Sequence, residues 1–344
     1  MWAKRTFYYG CKTMGLFRAA AHLSRGTLPI LCYHGFARAD EHRFRPTLYV
    51  TPALFRERLD WLAREGYTVL PLDEAVTRLR KRQLPAKAVV ITIDDGFASV
   101  ATSAAPLLRE YGYPATVYVT SYYVKHQRPV FRLLVQYLFW KSAVDAPDLA
   151  GLLPEPDAGP AAGAGVMDRL IDYGEQQLDN EGRERLLAGL AGRLKVNLDS
   201  ILEQRLFALM SPEEIRALET DGLDVQLHTH RHTLPLDAAT VSREVTENRE
   251  CLAPLTGTPL QHFCYPSGDW SEGHLPLLAS LGIKTATTCD PGLNTATTPP
   301  LALKRILDKQ DLPAIELEAE LCGFKPLLRR LLGRTSGHQR APDA

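Results

Sequence analysis

Short apolar runs alternate with helical patterns along most of this chain. The run "LPILCYH" (28–34) has the length and content of a buried strand. "TPALFRERLDWLAREG" (51–66) then repeats apolar positions at helical spacing, with Thr51 as its cap and Gly66 as its stop. "YTVLPL" is expected as the next strand, then "AVVITIDDGF" (88–97), a helix around "SAAPLLREYG" and the strand "PATVYVT". Past residue 210 the alternation resumes: strand "LDVQLHTH", helix "LDAATVSREVTENRECLAPL", strand "LQHFCYP", helix "GHLPLLASLG", strand "KTATT" and last "LALKRIL". Strands that alternate with helices predict an α/β fold with a parallel sheet and right-handed crossovers.

Two regions depart from that pattern. Residues 130–210 are expected to form a mainly helical insertion, with the Pro/Gly/Ala-rich "LPEPDAGPAAGAGV" (153–166) as a loop and 167–208 as helix. The ends, 1–27 and 311–344, are basic and amphipathic. No acid precedes Asp40, while Lys4, Arg5, Lys12, Arg18, Arg25 and Arg38 are interleaved with Trp2, Phe7, Tyr8, Tyr9 and Phe17, and "KPLLRRLLGR" repeats the theme from Lys325. Such ends either lie on an anionic membrane surface or cover the domain as ordinary surface helices.

The remaining composition excludes more than it selects. Forty basic and forty acidic residues cancel, so no global charge calls for nucleic acid. No run of 18 apolar residues suggests a membrane span, and Lys12 and Arg18 interrupt any signal-like apolar region. The expectation is a cytoplasmic protein, with the basic ends available for peripheral contact with the inner face of the membrane. The six cysteines (Cys11, Cys32, Cys251, Cys264, Cys289, Cys322) show no CxxC spacing and read as reduced core thiols.

The chemistry gathers at strand ends. "AVVITI" runs into Asp94 and Asp95, two like charges side by side, and "LDVQL" runs into His228, His230 and His232. Taken singly each is ambiguous, because Asp-Asp-Gly can cap a helix and an HxxxH pair occurs by chance on solvated helices. In a parallel sheet, however, these ends share one face with His34 and the "YPSG" turn (Tyr265, Pro266, Ser267, Gly268), the face on which α/β barrels assemble their sites. A carboxylate and two histidines leave coordination positions open, as in catalytic rather than structural metal sites. One aspartate bound to a divalent cation would cease to repel its neighbour, and the second could then stay ionised as a base.

"TIDDG", "HTHRH" and "YPSG", in this order, resemble the polysaccharide deacetylases with a NodB-homology domain, carbohydrate esterase family four; so do "ILCYHGF", "FRERLDWLAREGYTVLPLDEAV" and "YGYPATVYVT". The resemblance covers residues 28–125 and 209–307. It implies a distorted (β/α) barrel, with 28–129 and 211–310 as its two halves, and metal-dependent hydrolysis of an N-acetyl group on an amino sugar. Carried over, it makes Asp94 the general base and Asp95, His228 and His232 the ligands of a divalent metal, usually Zn2+. The metal and a backbone N–H near Ser267 would stabilise the oxyanion. Two departures stand out: "LALKRILD" has no histidine where many members carry an acid, and Cys264 stands where many carry an arginine two residues before the proline. His34 is the candidate acid and Arg305 the candidate partner of Asp94; either could instead be structural. Tyr265, Trp270 and Asn294 are candidates for a sugar pocket. The implied substrate is an N-acetylated saccharide, with the basic ends suggesting a lipid- or nucleotide-linked precursor of a surface polysaccharide. A deacylase for a non-sugar amide, or an inactive saccharide-binding barrel, are the alternatives.

Overall fold

The computed structural model describes residues 2–154 and 164–332. Ten strands occur among them: β1 (Ile30–Tyr33), β2 (Gly35–Phe36), β3 (Tyr49–Val50), β4 (Thr68–Val69), β5 (Ala88–Ile93), β6 (Ala115–Val119), β7 (Leu223–Leu227), β8 (His262–Cys264), β9 (Thr285–Pro291) and β10 (Leu303–Leu307). Seven form a parallel ring in the order β1-β10-β9-β8-β7-β6-β5, closed by β1 against β5 with Ile30 opposite Val90 and Tyr33 opposite Ile93. Strand β4 flanks β5 outside the ring, and β2 pairs with β3 apart from it. The expected (β/α) barrel is therefore present, built from seven strands.

Burial explains why these runs form strands. Every residue of β5 and of β6 is buried, as parallel strands covered on both faces require. The helix Pro52–Arg64 starts where expected, with the Thr51 hydroxyl accepting from the Leu54 N–H at 3.2 Å. "YTVLPL" gives only the two residues of β4, because Pro71 has no N–H to continue the ladder and Leu72 already opens the helix Leu72–Arg80, whose first turn carries Asp73 and Glu74.

Two buried polar clasps tie the β1–β10 seam. Arg58 Nε donates to Asp308 Oδ2 at 2.9 Å and the Tyr33 hydroxyl donates to the same oxygen at 2.8 Å. Asn294 donates through Nδ2 to the carbonyls of Leu28 (3.1 Å) and Lys304 (2.8 Å), and its Oδ1 accepts from the Lys304 N–H at 2.8 Å. Asn294 is thus fully committed to backbone and wholly buried, which removes it from any sugar pocket.

The chain forms two compact units, one comprising the residues up to Lys125 and from Met210 onward, the other His126–Leu209. The second is helical, with Phe131–Lys141, Ala164–Gln177, Asn180–Leu194 and Leu198–Glu203. The expected helix 167–208 is broken where Asp179 caps the Gly182 N–H and again after Lys195, which is left-handed (φ 55°). Of the expected loop, 155–163 lie outside the described residues, and residues 164–166 already belong to a helix. The N-terminal segment is two helices, Trp2–Thr13 and Leu16–Leu23. The C-terminal segment opens with an acidic helix, Ala314–Leu321, that the pattern did not suggest, before the basic helix Phe324–Leu331; residues after 332 lie outside the described residues.

Replacing Asn294 by Ala should lower unfolding stability by about 1–3 kcal/mol, the cost of leaving buried backbone groups unpaired. Urea denaturation monitored by circular dichroism measures it.

Candidate active site

The two aspartates part company in the backbone. Asp94 still belongs to the barrel ladder, its N–H donating to the Tyr33 carbonyl at 2.9 Å. Asp95 (φ 69°) and Gly96 (φ 85°) are both left-handed, and the Gly96 N–H turns back onto the Asp94 carbonyl at 2.8 Å. A non-glycine residue held in this region marks a conformation that the surroundings enforce. The turn sends the two carboxylates to different partners.

Asp94 lies inside the barrel against Arg305. Nη1 donates to Oδ1 and Nη2 to Oδ2, both at 2.7 Å, in a two-pronged pair that is almost wholly buried. The guanidinium is fixed in turn by the Thr288 carbonyl (Nε, 2.9 Å), the Thr92 hydroxyl (3.2 Å) and the Cys264 sulfur (3.1 Å). Burial pushes the Asp94 carboxyl up, but the charge and hydrogen bonds of Arg305 outweigh it and hold the group at about 2. The thiols of Cys264 and Cys32 lie 3.4 and 3.6 Å from Asp94 Oδ2.

Asp95 faces the histidines. Nε2 of His228 lies 3.2 Å and Nε2 of His232 lies 3.4 Å from its Oδ1, while its buried Oδ2 meets no hydrogen-bond partner among the described residues. His228 Nδ1 is 2.8 Å from the Cys264 carbonyl, which only a protonated nitrogen can bond, so in the neutral ring Nε2 carries the lone pair. Thr229 (φ 64°) and His232 (φ 58°) are left-handed, and this bent stretch brings both rings to one point. His230 turns away, its Nδ1 2.9 Å from the Ser121 hydroxyl.

Asp95, His228 and His232 have donor atoms within 4.8 Å of one another, the grouping a metal ion needs. The orphaned Oδ2 and the outward Nε2 atoms fit a divalent cation. Burial raises the Asp95 carboxyl, yet hydrogen bonds from both imidazoles outweigh it and pull the group well below the ordinary carboxylate range. Whereas Arg305 neutralises Asp94, no lysine or arginine among the described residues pairs with Asp95, so this pocket favours added positive charge.

His34 stands on the other side of Asp94, Nε2 3.7 Å from Oδ2. Its buried Nδ1 has no hydrogen-bond partner among the described residues, so it is not tied to a backbone carbonyl there. Burial lowers its pKa by more than the charges of Asp94 and Asp95 raise it. In the "YPSG" turn, Tyr265 is buried with its hydroxyl donating to the Leu301 carbonyl at 2.9 Å, Pro266 is buried, Ser267 is left-handed (φ 53°) and partly exposed, and Gly268 (φ 70°) presses against Cys289, leaving no room for a side chain. Trp270 is partly exposed, with Nε1 3.2 Å from Asp290 Oδ2.

Sequence reasoning missed the residues behind the ligands. Asn248, on the helix Ala238–Leu252, accepts from the His228 N–H through Oδ1 at 2.9 Å and donates to the Val119 carbonyl (3.0 Å) and the Ser121 hydroxyl (2.9 Å). No local pattern announces it, since its role depends on a helix 20 residues downstream folding back over β7.

The sequence profile described as polysaccharide deacetylase matches residues 81–148 and 187–286. Over these residues the chain matches the family of polysaccharide deacetylases. These are hydrolases acting on carbon–nitrogen bonds other than peptide bonds. The chain is 33% identical to YxkH of Bacillus subtilis (strain 168) over 101 residues, 29% of this chain and 34% of that protein, so the match spans about a third of YxkH. Its fold resembles that of the deacetylase PplD of Streptococcus pyogenes, solved with acetate (TM-score 0.58, 20% identity, 86% of this chain and 98% of that one). It also resembles IcaB from Ammonifex degensii (TM-score 0.53, 18% identity, 87% and 96%).

If a divalent cation binds at this cluster, changing Asn248 to Ala should weaken that binding about 10–100-fold, the usual effect of removing a group that orients a ligand. Competition with a chromophoric chelator reads it directly.

Proposed function

We propose that this deacetylase hydrolyses the N-acetyl group of an amino sugar in a precursor of a surface polysaccharide or glycolipid, at a zinc centre held by Asp95, His228 and His232. The observation that carries the reading is an arginine-held carboxylate, Asp94, adjacent in the chain to Asp95 of that set and 3.7 Å from His34. A divalent cation bound there would polarise the acetamide carbonyl and make water a better nucleophile.

The chain's own residues then supply the proton path. Asp94, ionised and immobilised by Arg305, accepts a proton from the attacking water. A carboxyl held at about 2 parts with that proton readily, and His34 Nε2, 3.7 Å from Oδ2, is the next acceptor. His34 then protonates the sugar nitrogen as the C–N bond breaks. Acetic acid and the free amine leave, the acid giving its remaining proton to the amine or to solvent, and each group returns to its starting protonation state. A backbone N–H of the turn at Ser267 would face the developing oxyanion, a contact worth about 3–4 kcal/mol in comparable sites. No helix among the described residues is long and apolar enough to cross a membrane. The basic, amphipathic ends support a substrate that is a lipid- or nucleotide-linked saccharide met at the inner face of a membrane.

Asp94→Asn should keep metal and lose about 100–10,000-fold in turnover, the range for removing a general base. His228→Ala should lose metal and turnover together. Acetate release from N-acetylated nucleotide sugars, lipid-linked sugars and oligosaccharides, with elemental analysis of each variant, measures both; an active Asp94→Asn enzyme would overturn the assignment.

A further inference from the structure

The helices at the two ends of the chain are amphipathic the wrong way round for a plain protein surface. They pack together: Tyr8, Cys11 and Phe17 form a buried cluster with Ile315 and Ala319, joined by Phe324. Gly323 (φ 83°) sits so close to Ser24 that a side chain there would collide with it. With that core satisfied, the outer face should be polar. It carries large apolar side chains beside its charges.

On the helix Trp2–Thr13 both lysines reach acids of the helix Ala314–Leu321, Lys4 to Glu316 and Lys12 to Glu318 at 2.7 Å each. On Phe324–Leu331, Lys325 and Arg329 both reach Glu320, at 2.9 and 2.8 Å. The basic groups thus bond toward the neighbouring helix while large apolar groups stay outside. Of ten large apolar side chains exposed among the described residues, seven belong to these ends. Leu16, Ala19 and Leu23 form an exposed stripe at i, i+3 and i+7, and Met14, Leu23 and Leu331 are 70%, 73% and 83% exposed. Arg5, Arg18, Arg25 and Arg330 border these groups, exposed and without an ion pair among the described residues. The helices Trp2–Thr13, Leu16–Leu23 and Phe324–Leu331 contain no acid.

We propose that these three helices form a docking face for an anionic lipid bilayer. The exposed apolar side chains enter the headgroup boundary, and the unpaired arginines meet the lipid phosphates. Uncompensated arginine beside exposed leucine fits a surface that offers both apolar depth and negative charge; a second copy of this basic face would offer only repulsion. Docking would hold the enzyme where a lipid-linked saccharide resides, although the proposal itself stands apart from the catalytic reading.

The test is flotation of the full chain with vesicles of mixed phosphatidylcholine and phosphatidylglycerol, and with phosphatidylcholine alone, at low and high salt. Binding should require the anionic lipid and weaken as salt rises. Arg18→Gln and Arg330→Gln should each lower partitioning about fivefold, and the double variant Leu16→Ser/Leu23→Ser by about tenfold or more. Thermal melts check that the variants remain folded. Equal binding to neutral vesicles, unchanged binding of the leucine variant, or a dimer in light scattering that the leucine variant abolishes would each overturn the proposal. Acetate release is not the readout, so failure here and failure of the catalytic reading are distinguishable.

Discussion

The buried pair between Arg305 and Asp94 governs the arrangement around it. Two like unit charges 4 Å apart repel by about 4 kcal/mol at an effective dielectric of 20. A strand end carrying two carboxylates is therefore tolerable only if each finds its own positive charge. Arg305 supplies one from within the chain, with both nitrogens engaged and the guanidinium fixed by Thr288, Thr92 and Cys264. Barrel closure is a condition of that pairing, because β10 must lie beside β1, and β1 beside β5, before Arg305 can reach Asp94. The register between β10 and β9 shifts just there: Leu303 lies opposite Thr287 and Arg305 opposite Pro291. The sheet bends at the residue that must deliver the charge.

Asp95 is left with the complementary problem. It is buried, one oxygen meets only imidazole nitrogens, and the other meets nothing among the described residues. Either a proton or a metal ion can balance it. Burial disfavours a charged His228, while the Cys264 side chain and the Asp95 hydrogen bond favour it and raise its pKa well above the ordinary value. The clamp on the His228 N–H by Asn248 and on Nδ1 by the Cys264 carbonyl holds Nε2 outward at a fixed point, open to either. One adjacent aspartate is thus neutralised by a fixed guanidinium and the other meets only imidazoles, an asymmetry that fits the proposed roles of base and ligand.

The barrel was legible in the chain because its strands are buried on both faces and read as unbroken apolar runs, as in "AVVITI" and "ATVYV". The candidate site residues stood out where they closely follow such a run: Asp94, His228 and His34 directly follow a strand, and Asp95 comes one residue later. Legibility fails for what tertiary structure alone assembles. Asn248 lies in mid-helix, Asn294 resembles a loop residue and proves to be a buried backbone clasp, and Pro71 cuts a predicted strand to two residues. The acidic helix Ala314–Leu321 was hidden for a different reason, because its alternating glutamates look solvated until the lysines of a segment some 300 residues earlier are folded against them.

Cys264 and Arg305 meet inside the barrel although they come from different strands. Cys264, on β8, stands two residues before Pro266, where the resemblance to the deacetylases leads one to expect an arginine. In a barrel, inward residues of neighbouring strands converge on the same layer. The guanidinium of Arg305 reaches that layer from β10, and the Cys264 sulfur lies 3.1 Å from its Nη2. The small, weakly polar thiol is what leaves the arginine room; a second guanidinium from β8 would bring two like charges to one carboxylate. Cys32 and Cys264 flank Asp94 Oδ2 and narrow the directions from which a proton can reach it. His34 Nε2 lies 3.7 Å from this oxygen, and a ring nitrogen of His228 also lies within 4.8 Å of the carboxylate.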